Sequence, residues 1–274
     1  MLNDAEFALI AREVKQRSGA VLTREMAGAI EIRLQPMSRR ENFGTVQELI
    51  AAARIRPDGA LWNGITDALA QSETRFFRDR DQFAKLKDDI LPSALHRRGH
   101  ERVRIWCAAT STGQEAYSVA MIVDEMRNEG RNPAVEIIAS DISERLLDKA
   151  RAGLYTQFEV QRGLPIRKLI TYFEKAGDLW RISDRLRANV RFEAHNLLKH
   201  PGQLGQFDII ILAHVLSSFD AETRTAVLTR ATEMLHPGGA IILGANETLP
   251  EGCEGLSIES GIVRKATPAR VAAA

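Results

Sequence analysis

Val103-Arg104-Ile105-Trp106-Cys107-Ala108-Ala109-Thr110-Ser111-Thr112-Gly113, followed by Gln114-Glu115-Ala116-Tyr117-Ser118, decides the fold of this chain. An apolar run reads as a buried strand, a loop of small residues follows, and residues 113–128 carry a helical pattern. The same order recurs downstream. Residues 135–139 read as a strand and about 143–152 as a helix; 207–212 and about 221–235 repeat the pair. Residues 240–244 give a further strand after the turn His236-Pro237-Gly238-Gly239. Strands alternating with helices predict an α/β domain with a parallel sheet covered on both faces.

Upstream, residues 1–70 read as helices only. Phe7, Ile10, Ala11 and Val14 mark one helical face after a cap expected at Asp4. Ile30, Ile32 and Leu34 belong to a second helix, Val46, Leu49 and Ile50 to a third, and Leu61, Ile65 and Leu69 to a fourth. The expected organisation is a helical domain over 1–70, a linker and connecting helix over 71–100, and the α/β domain over 101–274. Residues 154–195 break the strand–helix alternation and are too long for a simple connection. With strand-like runs at 179–182 and 190–193, they predict a small β insertion. The tail 267–274 is expected to fray.

The 274 residues suffice for one large domain or two smaller ones. A formal net charge of +1 gives no global field to attract nucleic acid or an anionic membrane. Two cysteines, Cys107 and Cys253, cannot build a disulfide framework and fit a reducing cytosol. The N-terminus is charged throughout, unlike a signal peptide, and no apolar run approaches the ~18 residues that span a bilayer.

Ligands of such sheets lie at the carboxyl ends of the strands. The loop Ala109-Thr110-Ser111-Thr112-Gly113 has a single glycine and matches neither G-x-G-x-x-G nor a P-loop, which disfavours a pyrophosphate or triphosphate ligand. A nucleoside without phosphates remains open. Asp141, ending the second strand, either caps the helix near Ser143 or accepts hydrogen bonds from both hydroxyls of a ribose.

Taken in order, these residues resemble the chemotaxis receptor glutamate methyltransferases, CheR. Ser72-Glu73-Thr74-Arg75-Phe76-Phe77-Arg78-Asp79 is similar to their N-x-T-x-F-F-R-[DE] stretch, and the run from Trp106 to Ser118 to their W-S-A-x-x-S-T-G-E-E-P-Y-S segment. Ala139-Ser140-Asp141-Ile142 resembles A-T-D-I. Phe207-Asp208-Ile209-Ile210 and Val215-Leu216 bracket the region of F-D-[VI]-I-x-C-R-N-V-[LM]-I-Y-F-D. Leu235-His236-Pro237-Gly238-Gly239 and Leu243-Gly244-Ala245-Asn246-Glu247 resemble L-x-P-G-G and L-G-H-S-E. The likeness runs from about residue 5 to about residue 264.

The resemblance implies a class I methyltransferase (Rossmann-like) sheet with an N-terminal helical bundle and an inserted β subdomain. It implies S-adenosylmethionine as cofactor and S-adenosylhomocysteine as product. Contacts are expected at Ser72, Thr74, Arg78, Ala108, Gly113, Glu115, Asp141, Asn196, Leu197, Ala213 and His214. Glu115 and Asp141 would hold the amino group and ribose, and Asn196 would read the adenine edge. Arg78 and Ser218 stand where the family has residues near the chemistry. Basic residues late in the second helix, Arg33, Arg39 and Arg40, would dock the cytoplasmic helices of methyl-accepting chemoreceptors. A cytoplasmic monomer is expected, with no metal, nucleic-acid partner or membrane insertion.

The sequence departs from the pattern at connected places. Ser72 replaces the family's asparagine, Ala213-His214 its Arg-Asn pair, and Ser218 its tyrosine. A S-adenosylmethionine-binding regulatory protein without turnover is therefore the alternative to an enzyme. Nucleic-acid methylation is disfavoured, because Leu212-Ala213-His214-Val215 lacks the acidic or polar residue and two prolines of amino-methylating enzymes. His96 and His100 have the i, i+4 spacing of a helical metal pair, but Gly99 breaks that helix, so the segment is expected to be a loop.

Overall fold

The structure is a computed structural model that describes residues 2–56, 59–70 and 73–266; Ser72 and the tail 267–274 lie outside the described residues. The first helices are α1 (Asp4–Ser18), α2 (Ala27–Arg40), α3 (Val46–Ile55) and α4 (Ala60–Leu69). Ile10 and Val14 of α1, Ile30, Leu34 and Met37 of α2, Leu49 and Ile50 of α3, and Leu61, Trp62 and Ile65 of α4 close one apolar core. The cap of α1 is Asn3, not Asp4: its side chain accepts from the Glu6 amide while Glu6 reaches back to the Asn3 amide. Ile32 is 69% exposed, because α2 turns the Ile30/Leu34 face inward and places position 32 on the other side.

A nearly continuous helix then crosses to the second domain. It comprises α5 (Arg80–Lys85), a π turn at Leu86–Ile90 and α6 (Leu91–Arg98). His96 lies within α6, which ends at Gly99; no cluster of metal-ligating side chains occurs among the described residues.

The second domain follows as β1 (Val103–Ala108), α7 (Gln114–Asn128), β2 (Val135–Asp141), α8 (Glu144–Ala152), β3 (Leu154–Thr156), α9 (Gln157–Gln161), α10 (Ile166–Tyr172), β4 (Phe173–Ala176), β5 (Leu179–Ile182), α11 (Asp184–Arg187), β6 (Val190–Ala194), β7 (Phe207–Ile211), α12 (Ala221–Glu233), β8 (Leu235–Ile242), β9 (Leu256–Glu259) and β10 (Ile262–Lys265). Seven strands form the main sheet in the order β6-β2-β1-β7-β8-β10-β9. The first five are parallel and the last two add an antiparallel hairpin. The sheet is a mostly parallel α/β sheet with apolar cores on both faces, as expected.

Residues 190–193, expected in the insertion, belong instead to β6, the edge strand of the main sheet, paired with β2 from Ile137↔Val190 to Asp141↔Ala194. The inserted sheet is β3-β5-β4 alone. The turn 236–239 is likewise drawn into β8, where the Pro-Gly-Gly segment makes a register shift opposite Phe207–Ile209. Trp106 lies within the core, stacked on Phe207 and donating to Ser140 Oγ at 2.9 Å.

Candidate cofactor and active site

β1 lies between β2 and β7, so the chain crosses to opposite sides of β1, and a crevice opens at the carboxyl ends of these strands. The loop after β1 is wound tightly. Ala109 and Ser111 take left-handed backbone conformations, φ 54° and 53°, and Gly113 follows at φ 88°. Glycine is required at 113 twice over, since a Cβ there would also come 2.9 Å from the Ala150 Cβ.

This winding turns the Ser111 amide onto Asp141 Oδ2 at 2.8 Å, while the Ser143 amide donates to Oδ1 at 3.0 Å. The side-chain cap of α8 is Ser143, which accepts from the Leu146 amide. Asp141 therefore makes an Asx-type bond at the helix entrance and also fixes the loop of the neighbouring strand. Burial pushes its carboxyl above the usual range, against the pull of these amides.

A cleft covers these strand ends. Of the expected site residues, Thr74, Arg78, Glu115, Asp141, Leu197, Ala213, His214 and Ser218 line it. Ala108 and Gly113 do not; they end β1 and start α7 just behind the lining residues. Asn196 is turned away. Its Nδ2 donates to the Arg17 carbonyl at 2.6 Å and its Oδ1 accepts from the Leu198 amide at 2.9 Å. These bonds join the strand-end loop to α1, and the adjacent His195 lines the cleft instead.

Other lining residues come from outside the α/β domain. Thr66 and Leu69 of α4, and Val14, Ser18 and Ala20 at the end of α1, form the opposite wall. The two domains are laced together here. The Val21 amide donates to the Ser218 carbonyl at 2.8 Å, Ala20 bridges Phe219, and Lys15 meets Asp220 at 2.6 Å. Ser218 Oγ donates to the Val215 carbonyl, closing the short turn that carries it.

Sequence reasoning passed over Asp79 and Glu247 as site groups, although both fall in the quoted motifs. Glu247 Oε2 accepts from the Gly244 and His214 amides at 2.7 and 2.8 Å. Asp79 Oδ2 is 2.7 Å from His214 Nε2 and accepts from the Ala245 amide at 3.0 Å. The helix-wall residues gave no chemical signal, being ordinary members of an amphipathic pattern.

Glu115 is the unmatched group. No described residue hydrogen-bonds its carboxylate, and burial, then the nearby Asp79, push its pKa up to about 8, against the pull of Arg78. The hydroxyls of Thr110 and Ser111 are buried in the lining without partners among the described residues. A ligand carrying an ammonium group and several hydroxyls fits this donor and acceptor set. Glu115 would meet the amino group of S-adenosylmethionine, Asp141 the ribose, and Leu69, Ile142 and Leu197 apolar ring surface.

Residues 72–261 match the family described as CheR methyltransferase, SAM binding domain. The chain is 34% identical to chemotaxis protein methyltransferase 1 of Pseudomonas aeruginosa over 270 residues, covering 96% of this chain and 98% of that relative. It is 34% identical to the chemotaxis protein methyltransferase of Vibrio parahaemolyticus, covering 90% of each, and 30% identical to chemotaxis protein methyltransferase Cher2 of Pseudomonas putida, covering 92% and 94%. Match and relatives both span most of the chain: it belongs to the CheR methyltransferase family and carries that family's S-adenosylmethionine-binding domain.

Proposed function

We propose that this protein esterifies glutamate side chains of chemoreceptors, using S-adenosylmethionine as methyl donor. The observation that carries the reading is the placement of Arg78 in the same cleft as Glu115 and Asp141, a cation beside a site suited to the donor. The relatives' names supply chemotactic methylation; the glutamate acceptor is our inference from the chemistry. A glutamate carboxylate, with an ordinary pKa of ~4.3, is already ionised at neutral pH and needs no general base. When bound, S-adenosylmethionine supplies an electrophilic methyl group. The acceptor would take that methyl group directly, so this chain has only to bind and orient the two groups and has no proton to remove.

The residues of this chain have three tasks. Arg78 holds the acceptor carboxylate by charge-assisted hydrogen bonds. The helical wall from α1 and α4 keeps water from the strand ends. The turn at Ser218 closes the cleft where the family has a tyrosine. Serine is several ångströms shorter than tyrosine, and a bridging water can stand in for part of the lost contact.

Labelled methyl transfer to receptor-containing membranes tests the reading, at saturating S-adenosylmethionine so that binding and chemistry are separated. Arg78→Ala is expected to remove nearly all turnover, while Ser218→Tyr raises it or leaves it unchanged. A second reading, a cofactor-binding regulator, is favoured by Ala213, His214 and Ser218. It replaces the first if the protein binds S-adenosylhomocysteine, methylates no receptor, and gains no turnover from Ser218→Tyr.

A further inference from the structure

His214 follows β7 with a left-handed backbone, φ 62°, a conformation costly for a side chain with a Cβ. Its surroundings fix it from several directions. Its amide donates to Glu247 Oε2 at 2.8 Å, and its Nε2 lies 2.7 Å from Asp79 Oδ2. Its ring lies so close over Gly244 that a Cβ there would come 2.8 Å from Cε1 and Nδ1. A strained residue held this firmly at a strand end is a constraint on something else.

That something is the linker. Asp79 immediately follows Arg78 and precedes α5. Its Oδ2 accepts from the Ala245 amide and lies 2.7 Å from His214 Nε2, toward which it is the acceptor in the tautomer that carries hydrogen on Nε2. One carboxylate oxygen thus receives a donor from the end of β7 and another from beyond β8. Other anchors flank Arg78: its Nη1 donates to the Glu73 carbonyl at 3.2 Å, and the amide of the buried Phe77 donates to Ser118 Oγ at 3.0 Å, so Asp79 is the anchor on the side toward α5.

We propose that His214 is a positioning residue. Through Asp79 it pins the linker against the sheet so that the Arg78 guanidinium faces the acceptor carboxylate. The inference rests on the function proposed above. A loose linker lets the guanidinium drift, and misplacing a positioning group by about an ångström can cost about 100-fold in rate.

Reach provides the test. Glutamine at 214 can place its amide nitrogen as far from the backbone as His Nε2, whereas asparagine falls one bond short. Glutamate at 79 lengthens the acceptor by the same amount. In the full-length protein, His214→Ala and His214→Asn are expected to lower kcat about 10- to 100-fold at saturating cofactor. His214→Gln and the double change His214→Asn with Asp79→Glu are expected within about 5-fold of wild type, the size of a modest positioning loss. The dissociation constant for S-adenosylhomocysteine is measured in all four, because His214 lines the cleft; kcat at saturating cofactor then separates a drifted Arg78 from a lost cofactor contact. His214→Ala with unchanged kcat, or a double change no better than His214→Asn alone, overturns the proposal.

The tie is also read without turnover. His214→Ala and Asp79→Ala should each lower the thermal midpoint by about 2–4 °C, with the double mutant no lower than the worse single, as for directly bonded partners. Additive shifts overturn it. Wild type without methyl transfer but with non-additive shifts refutes the proposed function and leaves the tie standing.

Discussion

Glu115, in the first turn of α7, and Asp141, at the end of β2, are both acids of the cleft, yet they differ in kind. Asp141 has two backbone amides to hold its charge; Glu115 has none. With its pKa up at about 8 in the folded protein and near 4.5 when unfolded, Glu115 binds more protons folded than unfolded between these values. Stability should therefore fall as pH rises through that window. A ligand ammonium reverses the preference, since it favours the carboxylate. Binding of S-adenosylhomocysteine should thus tighten between pH 6 and pH 8 and release a proton at pH 7, as read by calorimetry in buffers of different ionisation heat. Glu115→Gln should abolish the proton release; a release that persists in the variant would assign it elsewhere. Asp141→Ala is expected to weaken S-adenosylhomocysteine binding by about 1–3 kcal/mol, since a ribose would lose its partner and the Ser111 amide its anchor. Equal affinity in variant and wild type would sink the ribose placement. Both acids were legible in the sequence as strand-end and motif residues. Asn196 was not, because nothing in a sequence tells which backbone carbonyl an amide will find.

At the scale of elements, β1, β2 and β7 announced themselves as apolar runs because both faces of each are covered. β6 misled because it is an edge strand. Val190 and Phe192 alternate with Arg191 and Glu193, a half-covered pattern that a small exposed sheet would share. The hairpin of β9 and β10 gave too little signal, with two four-residue strands and several exposed positions. Least legible was the strap from α1 to the Ser218 turn, since a single β-bridge leaves no periodicity. Gly19 starts that strap at φ 79°, where a Cβ would also meet Leu198 and Thr223 side chains at 3.0 Å. Gly19→Ala should cost about 1–2 kcal/mol in stability from backbone strain alone. It should also lower turnover by displacing residues 20–21 from the Ser218 turn. Gly177→Ala is the control, because φ there is 62° and nothing lies within 4 Å of the added carbon. It should show a similar loss of thermal stability with methyl transfer intact; equal turnover losses in both variants would deny the strap its role.

For the whole molecule, the helical domain has two surfaces with different work to do. Inwardly, α4 supplies Thr66 and Leu69 to the cleft, and α2 packs on α4. Outwardly, α2 exposes Arg33, Arg39 and Arg40, of which Arg40 pairs with Glu41. A basic face is ordinarily only solvated. Here it belongs to the helices that pack on α4, which walls the cleft, and we propose that an acidic receptor helix docks on it. The proposed docking makes a specific forecast. Reversing the three charges together should raise KM for receptor-containing membranes at low salt and leave the affinity for S-adenosylhomocysteine unchanged, since none of the three lines the cleft. Exposed charges are screened over about 8–10 Å at physiological ionic strength, so added salt should raise the wild-type KM toward that of the variant. The two should converge in high salt, where neither protein retains the attraction. If charge reversal changes nothing at low salt, or if the gap between the proteins survives high salt, acidic receptor helices do not dock on α2.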